Sequence, residues 1–257
     1  MIYLIYMSIN SKKQGLLIFF SIFLVSCPTI SAGGANGAIK PPTYSFVKVF
    51  NVLDIQACQA EKDEKGRDCP TGQYRSTGSG MAVDVVKNKM IVLTAGHVCN
   101  AKLNDFISEY TLVVTVMDPN GRMHQSHIIK SSLDNSMGEP DLCALYVPTL
   151  NLKKVQLSGM PPRAGELVYY IGAPMGIYHR PVAPIFRGTY SGIIDPSSAI
   201  ATLPAAGGSS GSVVLNLNNR AIGILYATHP NFHHVTVITN YYATLVFLNE
   251  VRKNFKK

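Results

Sequence analysis

The chain has 257 residues, 47% apolar and 15% charged, enough for one large domain or two small lobes with a core that needs no metal to hold it. That balance, rich in Val, Ile, Thr and Tyr, excludes a disordered chain and favours folded β structure. The formal charge of +8 is dispersed over Lys87 and Lys89, Lys153 and Lys154, and the Arg252 to Lys257 tail, with no sustained basic run or aromatic platform, so it reads as solvated surface and argues against a nucleic-acid partner.

In chain order, Lys12 and Lys13 precede an unbroken apolar and small-residue stretch, Gly15 to Cys27. This matches the charged and hydrophobic regions of a secretory signal and is short for a bilayer span. Residues 1–32 therefore read as a signal peptide or N-terminal anchor. Leu24-Val25-Ser26-Cys27 resembles a lipobox and Ile30-Ser31-Ala32 an ordinary cleavage site; ordinary cleavage is expected. The product would be periplasmic or secreted, touching membrane only through that anchor or a lipidated Cys27. Residues 33–42 are small-residue and Pro-rich and read as a linker.

Processing removes or modifies Cys27 and leaves Cys58, Cys69, Cys99 and Cys143, an even set suited to an oxidising compartment. Cys58 and Cys69 flank a charged loop whose ends can meet across a hairpin, and that pair is favoured. Cys99 and Cys143 either form a second bridge or remain buried thiols.

Beyond the linker, short β runs alternate with Gly, Pro, Asn and Asp. Residues 44–55, 79–86, 89–94, 111–118, 124–130 and 142–147 form a first group of strands, and residues 151–163 a crossover. A second group follows at residues 166–172, 185–194, 199–203, 212–216, 221–227 and 235–240. Two sets of six predict an all-β domain, residues 43–257, of two six-stranded antiparallel barrels at about 43–150 and 164–240. Leu245, Leu248, Val251 and Phe255 recur at spacings of three and four, predicting a docked C-terminal helix over about 241–255.

Three segments carry chemistry. Gly207-Gly208-Ser209-Ser210-Gly211-Ser212 precedes an apolar strand. A serine hydroxyl attacks only from a tight turn beside a base, with backbone N–H groups free to stabilise an oxyanion. Gly208 and Ser210 would supply those donors, and Gly208 needs no Cβ where a carbonyl approaches. Ile91 to Thr94 runs through Ala95-Gly96 into His97, a buried strand delivering an imidazole on a small-residue turn. The other six histidines sit in polar or Pro-containing surroundings; His233-His234 would at most bind a metal weakly. Asp141 opens the apolar run Leu142 to Val147, which places a carboxylate at a barrel rim, where a histidine N–H can satisfy it.

Thr94-Ala95-Gly96-His97, Asp141-Leu142 and Gly208-Ser209-Ser210-Gly211-Ser212 together resemble the three catalytic blocks of the chymotrypsin/trypsin-like serine peptidases, in the same chain order. Residues 165–176 and Ala221-Ile222-Gly223-Ile224 further resemble the bacterial branch, which includes periplasmic quality-control peptidases and glutamyl endopeptidases. Only 47 residues follow Ser210, too few for an appended peptide-binding domain. The resemblance implies an endopeptidase with Ser210 as nucleophile, His97 as general base and Asp141 as its orienter. It would act on polypeptides through an acyl-enzyme, with no metal or organic cofactor.

Departures from the family pattern bear on specificity and regulation. Ser209 replaces the Asp that digestive members use to capture a new N-terminus, so that activation route is absent. Pro204 resembles no charged pocket floor, and Leu225 stands where glutamyl-specific relatives carry a His. A small or apolar side chain is therefore the expected preference, with Pro204, Leu225 and Thr228 as candidate pocket residues. The rival reading is an inactive peptide-binding module with a distorted oxyanion turn. An α/β-hydrolase esterase fails on chain order, because its histidine should follow the serine.

Overall fold

A computed structural model describes residues 39–100, 103, 105–133, 139–229 and 231–255. The leader at 1–32, Cys27 and linker residues 33–38 lie outside the described residues. No helix among the described residues is long and apolar enough to cross a membrane.

The first group of strands is β1 (Phe46–Cys58), β2 (Gly72–Val83), β3 (Ile91–Thr94), β4 (Ile107–Met117), β5 (Met123–Gln125), β6 (His127–Ser132) and β7 (Leu142–Tyr146). They pair in the order β5-β4-β1-β2-β3-β7-β6, a curled seven-stranded half-barrel rather than the closed six-stranded barrel expected. The physical cause is Ser126. The predicted strand 124–130 breaks there, and Gln125 pairs with Thr115 on one edge while His127 pairs with Tyr146 on the other. The Ser126 hydroxyl donates to Val114 O at 2.6 Å and holds the corner. One segment thus serves both edges of the sheet.

The second group is β8 (Leu167–Ile171), β9 (Ile185–Ile193), β10 (Ser198–Ala201), β11 (Val213–Asn216), β12 (Ala221–His229) and β13 (Phe232–Thr239). These close into a six-stranded barrel in the order β10-β13-β12-β11-β8-β9, so the second predicted barrel is present. Its core of Val168, Tyr170, Leu203, Val214, Ile222, Leu225 and Ile238 is nearly solvent-free. Closure leaves no strand edge unpaired around the ring.

The C-terminal helix α2 spans Tyr241–Asn254. Asn240 caps it, its side chain accepting from Tyr242 N, which satisfies one of the otherwise orphaned first-turn amides. Phe247, Leu248 and Val251 on one face are buried in the largest apolar cluster, with Phe46, Met81 and Leu142 of the half-barrel and Tyr169, Val213 and Ile224 of the barrel. That shared cluster makes the two β units one packed body.

Two disulfides are present, Cys58–Cys69 and Cys99–Cys143. The favoured pair is therefore formed, and the open alternative for Cys99 and Cys143 resolves to a bridge. Both point to an oxidising, extracytoplasmic location.

Candidate active site

Strand β3 ends at Thr94, and Ala95 leads into the single turn α1 (Gly96–Cys99) that carries His97. Gly96 is required there, because a Cβ would stand 1.9 Å from Ser132 O and 2.9 Å from Asp141 Oδ1. Asp141 sits at the start of β7, which pairs with β3 so that Thr94 opposes Cys143. That register brings the carboxylate under the turn. Asp141 Oδ1 accepts from the His97 backbone N–H at 2.9 Å, and Oδ2 lies 2.8 Å from His97 Nδ1. One residue thus engages both carboxylate oxygens, fixing the ring's orientation through Nδ1. The Asp141 side chain is 9% exposed and that of His97 38%, a carboxylate sheltered from water behind an accessible imidazole. The Cys99–Cys143 bridge joins the two segments two residues beyond His97 and Asp141.

Ser210 lies on the turn between Leu203 and β11. Ser209 N donates to Ala206 O at 2.9 Å and Ser212 N to Ser209 O at 3.0 Å. Gly208 and Gly211 take φ of +91° and +88°, a region that side-chain-bearing residues avoid. The Gly207 carbonyl accepts from Met175 N at 2.6 Å, so the peptide plane turns its oxygen away and its partner, the Gly208 N–H, the opposite way. Neither the Gly208 nor the Ser210 amide has a hydrogen-bond partner among the described residues. Backbone donors are almost always paired when buried, and two unpaired ones flanking a serine can receive an anionic oxygen.

The serine turn is clamped to the half-barrel by Ser79, a fully buried β2 residue that sequence reasoning did not single out. Its amide donates to Ser210 O at 2.8 Å, its hydroxyl to Gly208 O at 2.8 Å, and its hydroxyl oxygen accepts from Ala173 N at 3.0 Å. Its carbonyl accepts from Thr94 Oγ1 at 2.8 Å, three residues before His97. Gly211 completes the contact, since a Cβ there would lie 2.1 Å from Thr94 Oγ1 and 2.9 Å from Ala95 N. The signal available in the sequence was Gly78-Ser79-Gly80, a small-residue run inside a strand that marks a close backbone approach.

The structure therefore joins His97 to Asp141 directly and packs the Ser210 turn against the segment leading into His97. No hydrogen bond links Ser210 Oγ to His97, and that hydroxyl has no partner among the described residues. In serine hydrolases generally, the bond between nucleophile and base is commonly long without substrate and tightens on binding.

Of the candidate pocket residues, Pro204 is half-buried and its carbonyl accepts from Tyr170 OH at 2.6 Å. Burial pushes the Tyr170 hydroxyl up to about 12, so it is a neutral donor at any working pH. It also lies 3.3 Å from Ser209 Oγ, tying the Pro204 segment to the Ser210 turn. Leu225 is 2% exposed, its side chain packed in the barrel core while its carbonyl accepts from Gly211 N at 2.7 Å. Thr228 is half-buried on β12 and donates to Val235 O at 3.1 Å. Ala205 N donates to His233 O at 2.9 Å, bringing the exposed start of β13 beside this segment. Among the described residues no cluster of His, Cys, Asp and Glu can hold a metal ion.

No curated protein sequence matches this chain. In fold it is similar to a serine endoprotease from Yersinia pestis, with 19% identity and a TM-score of 0.60 over 85% of this chain and 66% of that one. It thus spans just under two thirds of that protein's length. It is also similar to the Rv3671c protease of M. tuberculosis in its active form, with 16% identity and a TM-score of 0.59 over 82% of each chain. An inactive mutant form of the same protease aligns at a TM-score of 0.55, with 16% identity, over 82% of this chain and 87% of that one. The family model for the trypsin-like peptidase domain matches residues 78–224, from the clamp strand through the Ser210 turn to the strand behind it, and the chain belongs to that family.

Proposed function

We propose that this chain is an exported serine endopeptidase in which Ser210 attacks a peptide carbonyl, His97 accepts its proton and later protonates the leaving amine, and Asp141 holds the imidazole. The observation that carries this reading is the two-point grip of Asp141 on His97, at 2.9 and 2.8 Å, beside a serine whose flanking amides are unpaired. Nδ1 facing a carboxylate leaves Nε2 as the proton acceptor, and the carboxylate stabilises the imidazolium that forms. The tetrahedral oxygen would be received by the Gly208 and Ser210 amides, and water would resolve the acyl-enzyme. Pro204 and Thr228 would line the acyl side of the cleft and take a small or apolar side chain there. The two disulfides support export, with residues 1–32 as leader or anchor, 33–42 as linker and 43–257 as the peptidase domain.

The test is hydrolysis of an unfolded protein substrate such as casein by the wild-type chain, Ser210→Ala and Asp141→Asn. Ser210→Ala should lose about a millionfold in rate and Asp141→Asn about ten-thousandfold, with thermal unfolding retained. Undiminished hydrolysis by Ser210→Ala would place the nucleophile elsewhere. Peptide binding without cleavage by the wild type would support a non-catalytic module.

A further inference from the structure

The turn joining β8 to β9, residues 172–184, is firmly rooted and apolar where it is free. At its base Met175 N donates to Gly207 O at 2.6 Å, and Lys48 Nζ to Gly176 O at 3.3 Å. Tyr178 points inward, its hydroxyl buried and its ring 5.4 Å from that of Phe46 in the largest apolar cluster. Arg180 lies over Gly121 between β4 and β5, where any Cβ would collide with the guanidinium. Ala183 is buried, and Phe186 stacks on Tyr170 with ring centroids 4.9 Å apart. Between these anchors Met175, Ile177, Val182 and Ile185 stand 41% to 76% exposed. His179 N donates to Val182 O at 3.0 Å and Val182 N donates back to His179 O, which closes the tip and satisfies its backbone internally. Apolar side chains gathered in water on so well-fixed a turn mark an interaction surface. Its charge has one sign: no Asp or Glu occurs between Glu166 and Asp195, while Arg180 and Arg187 do, both exposed. The carboxylate whose charge reaches Tyr178 is Asp118. It is 5% exposed and already accepts from the Asn120 and Arg122 amides, so it does not offset the cations at the surface.

We propose that this turn docks the folded domain on an anionic lipid surface, a membrane contact separate from the leader. Met175, Ile177 and Val182 enter the acyl boundary, and Arg180 and Arg187 meet the headgroups. The exposed side chains are aliphatic or thioether and carry no hydrogen-bond donor, while Tyr178 is turned away from them. Polypeptide interfaces are anchored by Tyr, Trp and Arg seated in pockets, whereas a bilayer surface asks only for apolar area beside cations. The assignment does not depend on the peptidase reading. On that reading it adds a substrate class: the base of the turn holds Gly207 O, so docking sets the Ser210 turn beside the lipid, where membrane-bound polypeptide is presented.

The chain contains no tryptophan, so a single reporter at the tip emits alone. Val182→Trp in the full chain is mixed with vesicles of phosphatidylglycerol or of phosphatidylcholine, with and without bromine on the acyl chains. On the anionic vesicles its emission should move to shorter wavelength and be quenched by bromine. Binding to the neutral vesicles should be weaker by at least about tenfold, the effect of two cations beside a charged surface. Ile177→Asp in the same reporter chain should abolish both signals. Met160→Trp, at a site 70% exposed between the two groups of strands, should stay unquenched, which separates docking by the turn from tethering by the leader. An unshifted Val182→Trp, equal quenching of Met160→Trp, or an equal response to the two lipids overturns the proposal. So does a shift produced by casein and not by vesicles. Ile177→Trp repeats the measurement if Val182→Trp melts below the wild type. None of these readouts uses hydrolysis, so their failure leaves the peptidase reading standing, and a chain without hydrolysis leaves the docking testable.

Discussion

Replacing Cys99 and Cys143 together by alanine separates the stabilising from the positioning role of the buried bridge. The two sulfurs lie 44 residues apart in sequence, and both cysteines are fully buried. Releasing a closed loop of that length lowers stability by about 4 kcal/mol in the chain-entropy relation. For a domain of this size 1 kcal/mol corresponds to about 2 to 4 °C in Tm, so the melt should fall by about 8 to 16 °C. The bridge also ties the turn bearing His97 to the strand bearing Asp141, so the rate per active site should fall too. The matched control is Cys58→Ala with Cys69→Ala, whose separation of 11 corresponds to about 3 kcal/mol at the hairpin joining β1 to β2. That variant should melt lower with an unchanged rate per site on short substrates. Calorimetry gives Tm, and fluorophosphonate titration counts sites for the rate. Loss of the 99–143 bridge with neither Tm nor rate per site affected would refute the reasoning. So would equal effects of the two bridges on rate.

Further outcomes follow from the clamp and from buried ionisable groups. Gly211→Ala would drive a Cβ to 2.1 Å from Thr94 Oγ1 and 2.2 Å from Ser79 O, and should lose hydrolysis by at least about a hundredfold, as misplacement of a reacting group does. Ser79→Ala removes the bonds to Gly208 O and from Ala173 N; it should lower kcat with little change in KM, whereas a purely structural role would lower Tm alone. Asp118 is pushed up by burial, but the amides of Arg122 and Asn120 and the His124 side chain outweigh this and hold its carboxyl below the ordinary 3.8. A depressed folded value stabilises at higher pH and is lost as pH falls through and below about 4. Asp118→Asn should therefore be less stable near neutrality by about 1 to 2 kcal/mol and lose less on acidification, measured by urea unfolding at pH 7 and pH 3.

The strand setting of the candidate residues was more legible in this sequence than the sheet boundaries. His97, Asp141 and Ser210 each follow or open a buried strand, so local pattern and residue type agree. Leu248 and Val251 mark the packed face of α2 through their spacing. β2 is the opposite case: residues 72–77 are polar and mostly exposed, and only pairing with β1 makes them a strand. The split of residues 124–130 at Ser126 depends on which edges its halves meet, a nonlocal choice that no periodicity records. Ser79 is an ordinary small residue by composition, and three of its four hydrogen bonds, those to Ser210 O and Gly208 O and from Ala173 N, exist only because two β units meet there. Leu225, read as a pocket residue from its place in the motif, turns its side chain into the barrel core, since alternation along β12 is set by closure of the ring.

The most direct measurement is mass-spectrometric mapping of the residue that a fluorophosphonate modifies in the folded chain. A single adduct on Ser210, lost on denaturation before labelling and in His97→Ala, is the predicted result. An adduct on any other side chain, or none on a chain that hydrolyses peptides, would contradict the account.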